Sequence, residues 1–126
     1  MASPPVRLVL FAHGSTDPRW KQTFENIAND LASRLGPDRV RLAYMEFTSP
    51  TLLDVVEESL ADGITRLRLL PMFMSGGGHV SRDIPRQVRL VQDRFPDLTI
   101  DLLPAIGENG RVLDTIKDIA VESAGG

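Results

Sequence analysis

The sequence predicts an α/β protein: a single-domain, three-layer sandwich in which a four-stranded parallel sheet carries helices on both faces. Three observations support this prediction. Four short apolar segments alternate along the chain with four amphipathic ones. The first and third apolar segments are nearly continuous, as is typical of parallel strands that are buried on both sides. Capping residues, glycine and proline separate the segments. We expect right-handed crossovers and, as a working hypothesis, the flavodoxin-like strand order 2-1-3-4.

Length and composition bound the class of protein. The chain has 126 residues, of which 42% are hydrophobic and 25% charged, so we expect one domain over residues 1–126, with 1–5 and 122–126 frayed. The net charge of −3 argues against a nucleic-acid partner, and the apolar runs are too short for a membrane span. There are no cysteines, which excludes disulfides and thiolate metal sites. The first residues lack the pattern of a signal peptide, so a cytoplasmic protein is expected.

The strands are predicted at residues 6–12, 40–45, 67–74 and 98–103. The first is apolar except for Arg7. Pro71 lacks the N–H group that a sheet ladder uses, so we expect it where the third strand leaves the sheet.

The first two helices carry a shared start signal. Asp17 precedes Pro18, and Ser49 precedes Pro50, which is the pattern of an N-cap followed by proline at the first helical position. Gly36-Pro37 and Gly63 end these helices. The first helix then presents one apolar face, formed by Trp20, Phe24, Ile27, Ala28, Leu31 and Leu35.

The third and fourth helices are predicted from their apolar spacing. The third begins at Ser81 or Asp83, with Pro85 in its first turn, and ends at Pro96. The fourth spans residues 108–121. Its inward face is expected to be Val112, Leu113, Ile116 and Ile119.

The carboxyl ends of the predicted strands bring polar residues to one edge of the sheet. His13 follows the first strand, Glu46 the second, and a glycine-rich loop with His79 the third. The sequence has no other histidines. In open parallel sheets, ligands bind outside this edge near the switch point in strand order. Two imidazoles and a carboxylate suit a divalent metal such as cobalt, iron, nickel or zinc, and they also suit proton transfer near neutral pH.

The glycine run leaves alternatives open. It could allow unusual backbone angles, or it could bind an anion. It lacks the Lys-Ser/Thr ending of a Walker A loop, and no G-x-G-x-x-G motif follows the first strand. Two other functions are weighed. A metal-binding carrier or sensor without catalysis would use the same histidines, and a phosphate- or nucleotide-binding domain is suggested by the glycine run alone.

Three blocks of residues resemble a known family. They are Phe11-Ala12-His13-Gly14-Ser15 with Asp17-Pro18-Arg19, Glu46 with Pro50-Thr51-Leu52, and Pro71-Met72-Phe73-Met74 with Gly76-Gly77-Gly78-His79-Val80 and Asp83-Ile84-Pro85. Together they resemble the class II chelatases, and most closely the short form of the sirohydrochlorin cobaltochelatase (CbiX) family. Beyond Pro96 the resemblance is in architecture only.

The resemblance implies a chelatase, a lyase that inserts a divalent metal into the tetrapyrrole sirohydrochlorin on the routes to cobalamin and sirohaem. Co²⁺ is the expected metal substrate, with Fe²⁺ or Ni²⁺ as alternatives, and no organic cofactor is expected. The metal-binding histidines of the family correspond to His13 and His79, with Glu46 assisting catalysis. Because longer relatives hold two such domains, the resemblance implies a homodimer.

Contacts to the tetrapyrrole are expected on the same edge. The residues are Ser15, Arg19, Met74, Gly76, Gly77, Gly78 and Arg82. Arginine binds a carboxylate through two parallel hydrogen bonds, and sirohydrochlorin is rich in carboxylates. Gly14 and the glycine run have no side chains, so we expect them to leave room for a flat macrocycle.

Overall fold

The computed structural model of the chain describes residues 5–74 and 79–125, with the side chains of 79–81 outside that description. Within these residues, four strands alternate with four α-helices and two short 3-10 helices. In the described residues, no helix is long and apolar enough to cross a membrane. In chain order the elements are β1 (Val6–Ala12), α1 (Pro18–Leu35), a 3-10 turn (Pro37–Arg39), β2 (Val40–Tyr44), α2 (Leu52–Ala61), β3 (Arg66–Pro71), α3 (His79–Arg94), β4 (Thr99–Leu102), a second 3-10 turn (Ile106–Glu108) and α4 (Gly110–Ser123).

The sheet has the predicted order β2-β1-β3-β4, and every neighbouring pair is parallel. In the register of the central pairs, Val9 lies between Arg41 on β2 and Leu69 on β3. The direction of the chain across the sheet reverses at β1, so the switch point lies beside the end of this strand. The predicted α/β class and strand order are confirmed.

Helices pack on both faces of the sheet. On one face, α2 and α3 cover a continuous apolar core with the alternate strand residues Val9, Phe11, Leu67, Leu69 and Ile100. On the other face, α1 packs over β2, where the Trp20 and Tyr44 ring centroids are 5.8 Å apart. This arrangement leaves the carboxyl ends of β1 and β2 at a common edge.

The first helix begins and ends as predicted. Asp17 accepts a hydrogen bond from the backbone N–H of Arg19 at 2.9 Å, and Pro18 is the first helical residue. At the other end, the Gly36 N–H donates to the Ala32 carbonyl at 2.9 Å, with Gly36 at φ +107.

The start of α2 corrects the prediction for Ser49-Pro50. Thr51 is the N-cap instead, and its hydroxyl accepts from the Asp54 N–H at 3.2 Å. The Asp54 carboxylate accepts in return from the Thr51 N–H at 2.9 Å. This reciprocal capping box satisfies two backbone donors at once, which explains why the helix begins after the proline rather than at it.

Three strands begin or end at residues other than those predicted. β2 ends at Tyr44 and not at residue 45, β3 covers Arg66–Pro71 and not 67–74, and β4 covers Thr99–Leu102 and not 98–103. Pro71 is the last residue of β3, as expected, because it cannot donate to a ladder.

The third helix begins earlier than predicted. It starts at His79, so Pro85 lies in its second turn and not in its first. Residues Ser81 and Asp83, the two predicted starts, are therefore inside the helix.

The fourth helix corrects both its start and its inward face. A 3-10 turn occupies Ile106–Glu108, and Asn109 caps α4 by accepting from the Arg111 N–H at 2.9 Å. Of the four predicted inward residues, only Val112 is half-buried. The other three side chains are exposed, at 39% for Leu113, 43% for Ile116 and 55% for Ile119. Helix α4 thus leaves its apolar stripe uncovered by its own chain.

The amino-terminal edge of the sheet holds a buried arginine. Arg7 is fully buried, and its guanidinium donates to the Asp38 carbonyl at 2.8 Å and to the Ser59 hydroxyl and the Asp62 carboxylate at 3.1 Å each. These hydrogen bonds compensate for the burial of the guanidinium charge, which would otherwise destabilise the fold. The network ties β1 to the end of α2, at the opposite edge from His13.

Candidate metal and proton-transfer site

His13 and Glu46 meet at the carboxyl edge of the sheet. His13 follows the last residue of β1, and Glu46 comes two residues after the end of β2. The imidazole Nε2 lies 2.7 Å from the carboxylate Oε1. The side chains are 46% and 39% exposed, respectively, so the strands hold them in place while a ligand can still reach them.

Backbone hydrogen bonds extend the β1–β2 pairing as far as these residues. The Met45 N–H donates to the Ala12 carbonyl at 2.8 Å, and the Glu46 N–H donates to the His13 carbonyl at 3.0 Å. From α3, the Gln87 side chain donates to the Met45 carbonyl at 3.4 Å. The two side chains are therefore positioned by rigid elements rather than by long loops.

Gly14 makes this close approach possible. Its φ is +111, and a Cβ atom placed there would lie 1.8 Å from the Glu46 carbonyl oxygen. The sequence suggested that Gly14 leaves room for a macrocycle. That expectation is wrong, because the backbone of Glu46 fills the space beside Gly14.

Gly107 provides a second close contact, between the ends of β3 and β4. Its N–H donates to the Phe73 carbonyl at 2.9 Å, and a Cβ atom there would lie 2.1 Å from the Met74 carbonyl oxygen. The segment after β3 is thereby held against the segment after β4. This contact fixes where Phe73 and Met74 lie on the rim.

Two aromatic rings flank the imidazole of His13. The Phe47 ring centroid lies 6.4 Å away at an interplanar angle of 79°, and the Phe73 centroid lies 6.2 Å away at 65°. Phe73 is half-buried and packs against the core, whereas Phe47 is 70% exposed. The imidazole thus stands between one ring anchored in the protein and one that faces solvent.

Tyr44, the last residue of β2, is buried next to the segment that carries Glu46. Burial raises the pKa of its hydroxyl, and the negative charge of Glu25 adds to this effect. Its oxygen is buried and has no hydrogen-bond partner in the part of the chain that the structure describes. The phenol therefore stays neutral at physiological pH and acts as packing under the β2 exit.

The other predicted site residues are less closely gathered. Ser15 accepts from the Asp17 N–H at 3.0 Å, and it lines an open groove of about 520 Å³ beside Phe47. Arg19 is 93% exposed and lies 3.6 Å from Asp17. Met74 and Arg82 are exposed. Gly76, Gly77 and Gly78 lie outside the described residues, as does the side chain of His79, whose backbone begins α3.

The described residues 5–74 and 79–125 contain no cluster of three or more candidate metal-binding side chains. His13 and Glu46 thus offer one imidazole nitrogen and one carboxylate group. A neutral imidazole is a good ligand for cobalt, nickel, iron or zinc, and the carboxylate is a second ligand or a base. The predicted role of His79 beside them stays a prediction.

Sequence reasoning did not identify Phe47 or Gln87 as part of this edge. Phe47 follows Glu46 directly, so its proximity could have been read from the chain. Its backbone angle and its exposure could not. Gln87 lies on α3, and no local pattern relates it to Met45.

The fold and the site together define a class: a parallel α/β protein with a histidine–carboxylate pair at the switch point. The CbiX family model matches residues 7–123 of this chain. The chain belongs to the CbiX family.

Individual relatives agree with this assignment. The sirohydrochlorin cobaltochelatase of Methanocaldococcus jannaschii is 35% identical over 86 residues, which are 68% of this chain and 60% of that protein. A CbiX protein from Marinobacter aquaeolei VT8 is 31% identical, with a TM-score of 0.83 over 95% of both chains. The sirohydrochlorin chelatase SirB from Bacillus subtilis subspecies spizizenii, solved in complex with cobalt, is 21% identical with a TM-score of 0.75. The match to SirB covers 91% of this chain and 51% of SirB, and it supports the fold alone.

We predict that Gly14→Ala destabilises the protein far more than Gly63→Ala does. Both glycines have positive φ, but a Cβ atom at Gly63 would meet nothing within 4 Å. Gly63→Ala therefore adds backbone strain alone and should lower the free energy of unfolding by about 1 kcal/mol. Gly14→Ala adds a clash with the Glu46 backbone and should lower it by about 3–5 kcal/mol.

Urea unfolding of both variants and the parent, followed by circular dichroism, measures these losses. Equal losses in the two variants would contradict the close contact between Gly14 and Glu46.

Proposed function

We propose that this protein is a sirohydrochlorin chelatase that inserts a divalent metal, with Co²⁺ as its main substrate, into the tetrapyrrole. The observation that carries the proposal is the His13–Glu46 pair, 2.7 Å apart and solvent-accessible at the switch point of a CbiX-family fold. Relatives that are 35% and 32% identical bear the name sirohydrochlorin cobaltochelatase. The chain spans about 60% of the length of the first of these relatives.

The site offers the groups that metal insertion needs. The metal must exchange its water for protein ligands, and two pyrrole N–H protons must leave as the metal enters the macrocycle. His13 can hold the incoming ion through Nε2, and Glu46 can accept a pyrrole proton, since carboxylates near the reacting atoms act as general bases. His79 is the second imidazole ligand in this proposal. It is the first residue of α3, which follows β3.

The expected substrate contacts complete the proposal. Arg19 is 93% exposed at the start of α1, so its guanidinium can reach a carboxylate at the edge of the macrocycle. Arg82 is exposed on α3, and Ser15 lines the groove beside Phe47. Met74, with Gly76, Gly77 and Gly78, would lie along the ring. A cytoplasmic location is part of this proposal.

A homodimer is part of this proposal, and the fold offers a surface for it. Helix α4 has an apolar stripe with Leu113, Ile116 and Ile119 exposed. The sheet face covered by α1 over β2 is open over β3, where the Arg66 and Arg68 side chains are 46% and 54% exposed. In one copy, the apolar stripe of α4 is uncovered, and the sheet face over β3 has no helix on it. In a two-fold dimer, α4 of each copy could pack on this sheet face of the other copy, because such interfaces are self-complementary.

We predict that His13→Ala lowers kcat/KM for cobalt insertion at least about 100-fold, since it removes both a ligand and half of the proton-transfer pair. Glu46→Gln should lower it about tenfold, because the amide keeps an oxygen ligand but cannot accept a proton. The measurement is the absorbance change of sirohydrochlorin on addition of Co²⁺ without oxygen, corrected for the rate without protein.

Arg34→Gln on the exposed end of α1 serves as the control and should act like the parent. Parallel assays with Ni²⁺ and Fe²⁺ rank the metals. A folded His13→Ala variant that inserts Co²⁺ at the parent rate would contradict the proposed site. Tight binding of Co²⁺ by the parent without any insertion would favour a metal carrier instead.

We predict that the parent has twice the 13.9 kDa mass of one chain in light scattering and that Ile116→Lys has the mass of one chain. A lysine in the apolar stripe would bring its positive charge into the interface beside Arg66 and Arg68. Asp118→Ala, on the opposite face of α4, is the control and should keep the double mass. A parent mass of 13.9 kDa at concentrations where the protein is active would refute the dimer.

A further inference from the structure

Phe47 combines two properties that a large apolar side chain seldom has together. Its φ is +70, which makes it the one residue other than glycine with positive φ in the described ranges. This region is unfavourable for a bulky side chain because Cβ crowds the backbone. The side chain is also 70% exposed, so burial of the ring does not compensate for the conformation. Strained residues of this kind occur mainly at functional sites.

The loop holds Phe47 in this conformation from both sides. On one side, the Glu46 N–H donates to the His13 carbonyl at 3.0 Å. On the other side, Lys21 Nζ donates to the Thr48 hydroxyl at 3.2 Å, and the Tyr44 N–H donates to the Pro50 carbonyl at 2.9 Å. The ring is therefore presented to solvent by a fixed backbone.

The orientation of the ring relates it to His13. The two ring planes are 79° apart, with centroids separated by 6.4 Å. A flat ligand lying parallel to the Phe47 ring would therefore stand almost perpendicular to the imidazole plane. Because the two centroids are only 6.4 Å apart, a ring system as wide as a macrocycle that lies on Phe47 would also lie next to His13.

A polar groove adjoins Phe47. Phe47 lines it together with Ser15, Lys21, Glu25 and Thr48, and the groove has a volume of about 520 Å³. Its hydroxyl and ammonium groups can bind carboxylates, whereas the Glu25 carboxylate would repel them. A macrocycle seated on Phe47 would thus have both hydrogen-bond donors and one negative charge near its edge.

We infer that Phe47 is the stacking surface that binds one face of the tetrapyrrole and holds it next to His13. The inference rests on the proposed function and adds a substrate-positioning residue to it. Stacking of a flat ring system on an aromatic side chain is favourable and needs no particular pattern of hydrogen bonds. Hydrogen bonds already hold the loop backbone around Phe47 before the substrate arrives, so binding does not have to order the loop.

We predict that Phe47→Gly raises the Kd of metal-free sirohydrochlorin about tenfold and raises KM by a similar factor, because the stacking surface is lost. We expect kcat to change less than about threefold, since His13 and Glu46 are still present. Glycine accepts positive φ, so the variant should unfold at the same or a higher urea concentration than the parent. Phe47→Tyr should bind like the parent, and so should Leu90→Ala, an exposed apolar residue on α3.

Binding is measured by fluorescence titration of sirohydrochlorin without metal, alongside light scattering and urea unfolding. If the parent binds and metallates sirohydrochlorin and Phe47→Gly binds equally well, the inference is wrong while the proposed function stands. If Phe47→Gly loses affinity only together with the dimer mass, Phe47 is an interface residue and the inference is wrong. If the parent does not bind sirohydrochlorin, the proposed function and this inference both fail.

Discussion

The contact between Gly14 and the backbone of Glu46 is the constraint on which this site depends. It brings the ends of β1 and β2 so close that no side chain fits between them. Two backbone hydrogen bonds, Met45 to Ala12 and Glu46 to His13, then continue the sheet pairing past its last residues. The His13–Glu46 distance of 2.7 Å follows from that closeness, since both side chains start from a nearly fixed backbone. Phe47, with its unusual φ of +70, lies in the same loop directly after Glu46.

Stability and function occupy opposite edges of one sheet. The amino-terminal edge holds the buried Arg7 with Asp62 and Ser59, and the layer between carries the apolar core under α2 and α3. At the carboxyl edge, close backbone contacts, a positive φ at Phe47 and half-exposed polar groups replace apolar packing. These features cost stability, which the core and the parallel ladders offset. The arrangement leaves the imidazole fixed in direction and open to a ligand.

Much of this architecture could be predicted because it is encoded locally. The apolar runs and the cap at Asp17 determine elements within a few residues, and parallel topology then places His13 and Glu46 on one edge. The rest depends on contacts between distant residues. The glycine at position 14 is required by the backbone of Glu46, 32 positions along the chain, which no local pattern reveals. Helix α4 has a regular apolar stripe, and a stripe predicts burial without saying which chain buries it. The start of α2 was predicted wrongly because the Ser49-Pro50 pattern precedes the capping box at Thr51, which is the actual N-cap.

The most direct test of the site is the position of cobalt bound to the protein without tetrapyrrole, measured by crystallography with anomalous scattering at the cobalt edge. The account predicts one cobalt ion about 2.1 Å from His13 Nε2, with the imidazole no longer hydrogen-bonded to Glu46. Glu46 should lie in the coordination sphere or face the open position. Cobalt bound elsewhere, with the His13–Glu46 bond intact at 2.7 Å, would contradict it.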